Sequence, residues 1–227
     1  MNPILKSCML SSEQRNLILQ GIKQGKDEFQ SITALHPATT TRTYLPRFQY
    51  DLVNTYVEKV IKDNPHTQMK VYTKKAGFHP YIVIQDQIRN IFILVLKLPK
   101  NKYIFNQSEY RGDFASSNIE RLVEMGVPKS ELVGDTPYQE SLPLGMENQP
   151  FSIIVCYDGK SDIVYEGALR PDQEDWLYKE DITDYVNMNI EKLVPVNSYN
   201  LTDIEPTLKT PKADEDIVLK LKTTTSS

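Results

Sequence analysis

The sequence predicts an α+β fold, with N-terminal helices packed on a largely antiparallel sheet and a flexible C-terminal tail. Three observations support this prediction. Apolar residues recur at helical spacing up to about residue 63, the period then changes to that of extended strands, and Pro, Thr, Asp, Glu and Lys dominate from Pro195 onward. The 227 residues are therefore predicted to form one domain over 1–194, with helices over about 11–63 and the sheet over about 68–186, and an acidic tail over 195–227.

Two helices are predicted before residue 63. Ser11 and Gln14 form a capping box, and the apolar residues that follow at helical spacing are Leu17, Ile18, Ile22 and Phe29. Gly21 and Gly25 are expected to weaken this first helix, because glycine has low helix propensity.

The second predicted helix begins near Pro46 and ends before Asn64-Pro65. Its apolar residues trace one stripe: Phe48, Leu52, Val53, Tyr56, Val57, Val60 and Ile61. Its polar face is expected to include Gln49 and Asn54. This stripe is predicted to pack across the sheet.

The strands are predicted in two groups, separated by a short helix with Asn118 as its cap. In the first group, Met69 and Val71 begin an extended segment, residues 74–77 form a turn or loop, and strands follow at 81–84 and 88–98. Residues 91–96 are apolar on both faces, which predicts a central strand covered on both sides. In the second group, Asp158-Gly159 predicts a hairpin turn between strands at 151–157 and 163–166.

The modest net charge of −4 conceals an uneven distribution of charge along the chain. Residues 1–110 contain 15 Lys and Arg against 8 Asp and Glu, a balance of +7, whereas residues 111–227 contain 11 against 22, a balance of −11. This asymmetry favours a surface that faces a polyanion, an acidic surface that faces a partner, or both. Alternatively, the two halves attract each other within one fold.

The sequence contains no secretory signal at residues 1–10 and no apolar run long enough for a membrane span. A reduced, cytoplasmic protein with no membrane contact is expected. We find no catalytic, metal-binding or cofactor signature: the three histidines have no acid, Cys or His at ligand spacing, and the nucleophile-elbow, P-loop and dinucleotide motifs do not occur. Cys8 and Cys156 are too far apart in sequence to form a metal knuckle.

A metal-dependent nuclease is the one enzyme class with partial counterparts in the sequence. Many such nucleases place an acidic residue in one strand and an acid-x-lysine pair in the next, so that carboxylates hold Mg²⁺. Asp86 and Lys97 occupy comparable positions, but Val95 stands where the second acidic residue is needed. Such a site would be degenerate, and Lys97 is more simply the first solvated residue after a buried strand.

Two groups of residues are candidates for binding. The first faces another protein: Trp176 lies among Asp172, Glu174 and Asp175, and the tail carries a short apolar motif that includes Ile217 and Leu219. Acidic residues would steer a partner with a basic surface, and the motif could add a strand to a sheet edge. The alternative is a solvated acidic loop anchored by a packed Trp, with a tail that pairs with its own sheet or has no binding role.

The second group faces nucleic acid and comprises Arg42, Arg47, Lys74, Lys75 and Arg89, with Tyr44, Tyr72, Phe78 and Tyr103 among them. Basic groups interleaved with aromatics suit a surface that tracks phosphates and stacks bases. The low density of these residues and a pI of about 5.5 favour an ordinary solvated face instead.

Several short features resemble a loose class of uncharacterised bacterial proteins similar to those of prophages and mobile elements. They are His79-Pro80-Tyr81, Leu96-Lys97-Leu98, the hairpin over 153–169, Arg170-Pro171 before Trp176, and the closing segment rich in Pro, Asp and Glu. The resemblance covers about a third of the chain and implies a setting, namely conflict or regulation in a bacterial element, without catalytic residues. Together, these observations predict a non-enzymatic protein-binding regulator, inhibitor or antitoxin-like protein; the alternative is a nucleic-acid-binding protein or a degenerate nuclease.

Overall fold

Three helices lead into a six-stranded sheet in the described residues, 2–35, 44–99, 109–133 and 149–184 of this computed structural model. The first helices are α1 (Pro3–Cys8), α2 (Ser12–Leu35) and α3 (Leu45–Lys62), followed by a 3₁₀ turn (Pro65–Thr67). Next come β1 (Met69–Ala76), β2 (His79–Asp86) and β3 (Ile91–Lys97). The short helices α4 (Glu109–Ala115), α5 (Asn118–Glu124) and α6 (Lys129–Val133) precede β4 (Phe151–Tyr157), β5 (Val164–Leu169) and β6 (Trp176–Asp181). The predicted α+β class is confirmed, and the predicted tail lies outside the described residues.

The six strands are arranged in chain order, β1 to β6. All neighbouring pairs are antiparallel except β3 and β4, which are parallel, and α4, α5 and α6 lie in the connection between them. The predicted central strand is confirmed, because β3 lies between β2 and β4 and buries side chains on both faces. β1 and β6 are the two edges of the sheet.

Each face of the sheet buries its own apolar cluster. The larger cluster lies on the helical side, where Ile91, Ile93 and Val95 of β3 meet α2 and α3 residues such as Ile18 and Val57. The smaller cluster lies on the opposite side and joins Leu94, Ala115, Ile154, Cys156 and Leu169, with Trp176 packed against it. This smaller cluster positions the tryptophan that the sequence singles out.

The long helix α2 begins at the predicted capping box. The Gln14 amide donates to Ser11 Oγ at 3.2 Å, and the Ser11 amide donates to Gln14 Oε1 at 3.1 Å. Helix α3 packs along α2 and contacts β1, β2 and β3, which confirms that it lies against the sheet. Gln49 and Asn54 were expected on its polar face, but both are buried, and Gln49 Nε2 donates to the Gly159 carbonyl at 2.8 Å. That part of the prediction was wrong.

Gly21 and Gly25 allow α2 and α3 to approach each other at backbone distance. A Cβ atom added at Gly21 would lie 2.5 Å from Val57 Cα, and one added at Gly25 would lie 2.5 Å from Val53 Cα. Because the obstructing atoms are backbone, no side-chain rotation relieves these clashes. The two glycines therefore stabilise the packing of the helices, although each lowers the intrinsic propensity of α2.

We expect Gly25→Ala to destabilise the protein by about 1–3 kcal/mol, the usual cost of overpacking a core. Helix propensity alone predicts the opposite sign, a gain of about 1 kcal/mol. Urea unfolding followed by circular dichroism measures the difference. Ser31→Ala, at an exposed site on the same helix, is the matched control and should change stability by less than about 0.5 kcal/mol. A higher stability for Gly25→Ala would show that the two helices are not in close contact there.

Two further local predictions were wrong. Residues 74–77 were expected to form a turn or loop, but Lys74, Lys75 and Ala76 belong to β1, and of these four residues Gly77 alone lies in the turn, with a φ of +59°. Asn118 was expected to cap a helix, but Ser117 holds the N-cap position. The buried side-chain amide of Asn118 instead bridges two strands. Its Nδ2 donates to the backbone carbonyls of Ser152 and Leu169, and its Oδ1 accepts from the backbone amide of Ser152 at 2.7 Å.

Two buried carboxylates bind the corner between α1 and α2 to the sheet. Glu166 of β5 accepts from the Leu10 amide at 2.9 Å and from Arg15 Nε at 2.6 Å. Asp86, at the end of β2, accepts from Gln14 Nε2 and from Arg89 Nε, both at 2.8 Å. Burial alone would raise the pKa of Asp86, but hydrogen bonds from Gln14 and Arg89 outweigh it and lower that pKa.

Candidate interaction surfaces

The two edges of the sheet carry opposite charges. On β1 the exposed charged side chains are Lys70, Lys74 and Lys75, and residues 69–85 contain no Asp or Glu. At the β6 edge, Asp172, Glu174 and Asp175 are exposed in the loop that precedes the strand. Five inter-strand spacings separate the edges by about 24 Å. Lysines and carboxylates thus lie at opposite edges of one sheet. The two halves of the chain also attract each other directly, because Arg15 pairs with Glu166 and Glu180 and Lys26 pairs with Asp162.

We define the acidic edge as β6 together with the loop 170–175. Backbone hydrogen bonds close this loop: the Arg170 amide donates to the Asp175 carbonyl at 3.0 Å, and the Gln173 amide donates to the Arg170 carbonyl at 2.9 Å. Gln173 is buried and has a φ of +61°, so it turns the chain while the carboxylates on either side of it point to solvent. The three carboxylates are therefore held on a closed loop before any partner arrives.

Trp176 lies half-buried beside this loop, on the face of the sheet opposite α2 and α3. A Cβ atom at Gly167 would lie 2.5 Å from the indole ring, so the missing side chain of Gly167 provides the space that the ring occupies. The Lys179 ammonium lies 3.9 Å from the centre of the Tyr165 ring and 5.9 Å from that of Trp176. Tyr165, Lys179 and Trp176 therefore form one ladder of cation–π contacts along β5 and β6.

The sequence identified Trp176 and its acidic neighbours but missed the residues that support them. No sequence pattern identifies the supporting residues Gly167, Tyr165 and Lys179, because their role depends on the pairing of β5 with β6. Arg15 also supports the acidic edge: its Nη2 donates to Glu180 of β6 at 2.6 Å. Burial alone would lower the pKa of Arg15, but Glu166 and Glu180 raise it, so the guanidinium stays charged.

We define the basic arm as residues 69–81, the β1–β2 hairpin with its turn. Side chains of a strand alternate between faces, so Lys70, Tyr72 and Lys74 share one face, while Lys75 lies on the other. Lys74 pairs across the hairpin with Tyr81. Phe78 at the turn is 99% exposed, and Tyr72 is 41% exposed. The arm therefore presents lysines and aromatic rings together.

The predicted nucleic-acid residues are only partly brought together. Arg47 of α3 lies beside the arm, where its Nη2 donates to the Pro80 carbonyl at 2.8 Å. Arg89 lies near the opposite end of β1, because it follows Asp86, the partner of Met69. Its guanidinium also donates to the Met9 carbonyl at 2.7 Å, so Arg89 has a structural role in addition to its ion pair. Arg42, Ile217 and Leu219 lie outside the described residues.

The structure does not bring the two nuclease candidates together. Asp86 pairs with Ile91 at one end of β3, whereas Lys97 lies six residues further along that strand, about 20 Å away. Asp86 is also fully engaged by hydrogen bonds, and Lys97 packs against Gly159. Within the described ranges, no group of three His, Cys, Asp or Glu side chains could hold a metal ion. Asp86 and Lys97 therefore do not lie together at one site.

Both cysteines are buried, and burial raises the pKa of each thiol, that of Cys156 to about 12. They are therefore protonated at neutral pH and pack as small apolar side chains. Among the described helices, none combines the length and the apolar character that crossing a membrane requires.

Comparison of the chain with protein-family models, curated proteins and solved structures finds no match. The functional argument therefore depends on the two edges of the sheet and on the residues that shape them.

Proposed function

We propose that this chain is a non-enzymatic protein-binding regulator, an inhibitor or antitoxin-like protein of a bacterial prophage or mobile element, and that its acidic edge docks a partner protein with a basic surface. The observation that carries the proposal is the half-buried Trp176, which is held over Gly167 on the last strand of the sheet in the described residues and is bordered by three exposed carboxylates. The setting in a mobile element comes from the resemblance of residues 74–98, 151–182 and the tail.

Three properties of the acidic edge support a role in binding. Trp and Tyr are the side chains most often found at the energetic centre of protein interfaces, and here Trp176 and Tyr165 lie on the same face of adjacent strands. The closed loop and the Arg15–Glu180 ion pair fix the surface in advance, which lowers the entropy lost on binding. The carboxylates of Asp172, Glu174 and Asp175 would attract a basic partner and accelerate its association at low salt.

The first test identifies the partner by affinity capture from the native cell and then titrates the purified partner. Trp176 is the only tryptophan of the chain. Once the fluorescence of the partner is subtracted, the tryptophan emission of the complex comes from Trp176 and reports on the proposed contact. We expect the emission to change on binding, and we expect Trp176→Ala to weaken the affinity at least about 30-fold, as for an interface hot spot.

Charge variants show whether the carboxylates of the acidic edge, rather than the net charge of the protein, attract the partner. The double variant Asp172→Asn, Glu174→Gln should slow association and reduce its salt dependence. The matched control is Asp27→Asn, Asp63→Asn, which removes two exposed carboxylates on the helical side and should leave binding unchanged.

Deletion of residues 205–227 in the same assay tests whether the predicted motif at Ile217 and Leu219 contributes to binding. We expect the deletion to reduce the affinity for the partner and to leave the melting temperature unchanged.

Two results would overturn the proposal. One is a partner affinity that neither Trp176→Ala nor the loop variant changes, which would place the contact elsewhere. The other is cleavage of DNA or RNA in the presence of Mg²⁺ or Mn²⁺ that Lys97→Ala abolishes, which would make the protein an enzyme.

A further inference from the structure

We propose that the basic arm binds single-stranded nucleic acid, with bases stacked on Tyr72 and Phe78 and phosphates held by Lys70 and Lys74. This site goes beyond the proposed protein-binding function, because it lies at the opposite edge of the sheet and uses none of the residues of the acidic edge.

The spacing of side chains along the arm suits an extended polyanion. Lys70, Tyr72 and Lys74 point to one face at intervals of about 6.6 Å, the distance between alternate residues of a strand. Tyr81 pairs with Lys74 on the neighbouring strand and widens this face. Alternating cations and aromatic rings are the arrangement that binds single strands without sequence preference, since every base has a π-face.

The exposure of the arm shows that the fold itself does not use these side chains. Phe78 is almost fully exposed at the turn, and both faces of β1 are exposed from Thr73 to Lys75. Only the part of β2 from Val83 to Asp86 pairs with β3, so the outer half of the hairpin is not paired with that strand. Stacked bases would cover the exposed rings of Phe78 and Tyr72 with an apolar surface.

The charge of the arm selects a polyanion, and its position favours nucleic acid over an added strand. Residues 69–85 contain no side-chain carboxylate, and Asp86, which follows them in the sequence, is buried and paired with Arg89. Asp51 of α3, beside the arm, is paired with Arg47. Lysines on an edge strand oppose pairing with another sheet edge, so a second copy or a partner strand is disfavoured here. A contact made through side chains, with rings and ammonium groups on one face, fits a single strand better than an acidic peptide, which has no bases to stack.

The test measures the fluorescence anisotropy of labelled 20-nucleotide oligo(dT) and oligo(U), with the full chain in 20–200 mM salt. We expect both to bind, with affinity falling as salt rises. Lys70→Gln, Lys74→Gln should reduce the slope of log affinity against log salt by about 1.4, since each lost phosphate contact contributes about 0.7 on a single strand. Tyr72→Ala and Phe78→Ala should each weaken binding about tenfold and leave this slope unchanged.

Controls separate this site from a general attraction to anions. Lys23→Gln, Lys129→Gln removes two exposed lysines elsewhere and should leave affinity and slope unchanged. Phe78→Ala should melt as the parent does, because the ring is 99% exposed. The proposal is overturned if neither oligonucleotide binds at 20 mM salt, if the control pair weakens binding as much as the arm pair, or if heparin binds equally well and the aromatic variants have no effect. Capture of an acidic protein through the arm, without oligonucleotide binding, would also overturn it.

Discussion

Replacing Val57 by aspartate should abolish the folded state at 25 °C. Val57 is fully buried in α3, and its backbone lies so close to Gly21 that a Cβ there would be 2.5 Å away. A carboxylate at this site would lie within the larger apolar cluster, away from water. An uncompensated buried charge costs several kcal/mol, which is comparable to the total stability of about 5–15 kcal/mol of an ordinary domain. Circular dichroism and a thermal melt measure the result.

The matched control is Thr55→Asp, which places the same charge on the exposed side of the same helix. It should melt within a few degrees of the parent protein, because surface substitutions rarely change stability by more than about 0.5 kcal/mol. A cooperative melt of Val57→Asp at the parent temperature would mean that α3 does not pack on α2 and the sheet as described.

The elements of the fold were predictable where one local signal dominates. The seven-residue stripe of α3, the Asp158-Gly159 hairpin and the two-sided apolar strand β3 all follow from the period of apolar residues and from turn chemistry. The errors come from tertiary contacts. Gln49 and Asn54 look solvent-facing by period, yet α3 is buried on more than its apolar stripe. Gly21 and Gly25 look unfavourable, because sequence shows propensity but not the approach of a second helix.

The candidate site was predictable only as a list of residues. The charge asymmetry identifies an acidic and a basic group, but their placement at opposite edges depends on a strand order that no local pattern encodes. Arg89 resembles Lys74 and Lys75 in sequence, and only the structure shows that it binds the corner between α1 and α2. Glu166 shows the same limit: a single acid in an apolar strand gives no indication of its partners, Arg15 and Leu10.

Glu166→Ala should destabilise the protein by about 3–5 kcal/mol, the range measured when one member of a buried ion pair is removed. The Glu166 side chain is completely buried and accepts hydrogen bonds from Arg15, from the Leu10 amide and from the Tyr178 hydroxyl. Alanine would leave all three donors without this acceptor, while Arg15 would still pair with the partly exposed Glu180. Urea unfolding measures the loss, and amide hydrogen exchange at Leu10 should accelerate most, because that amide loses its acceptor.

Two milder variants show whether the buried carboxylate itself is responsible. Glu180→Ala removes a second carboxylate that pairs with Arg15. Because the Glu180 side chain is 34% exposed, this change should lower the stability by only about 1 kcal/mol. Tyr178→Phe removes a single donor to Glu166 and should also cost about 1 kcal/mol. If Glu166→Ala proves no more damaging than these two changes, water must reach the corner between α1 and α2, and the ion pair would then be a surface contact. The expected order, with Glu166→Ala several-fold more destabilising, follows because the buried Glu166 carboxylate connects β5 to α2 through Arg15, to β6 through Tyr178, and to the segment between α1 and α2 through Leu10.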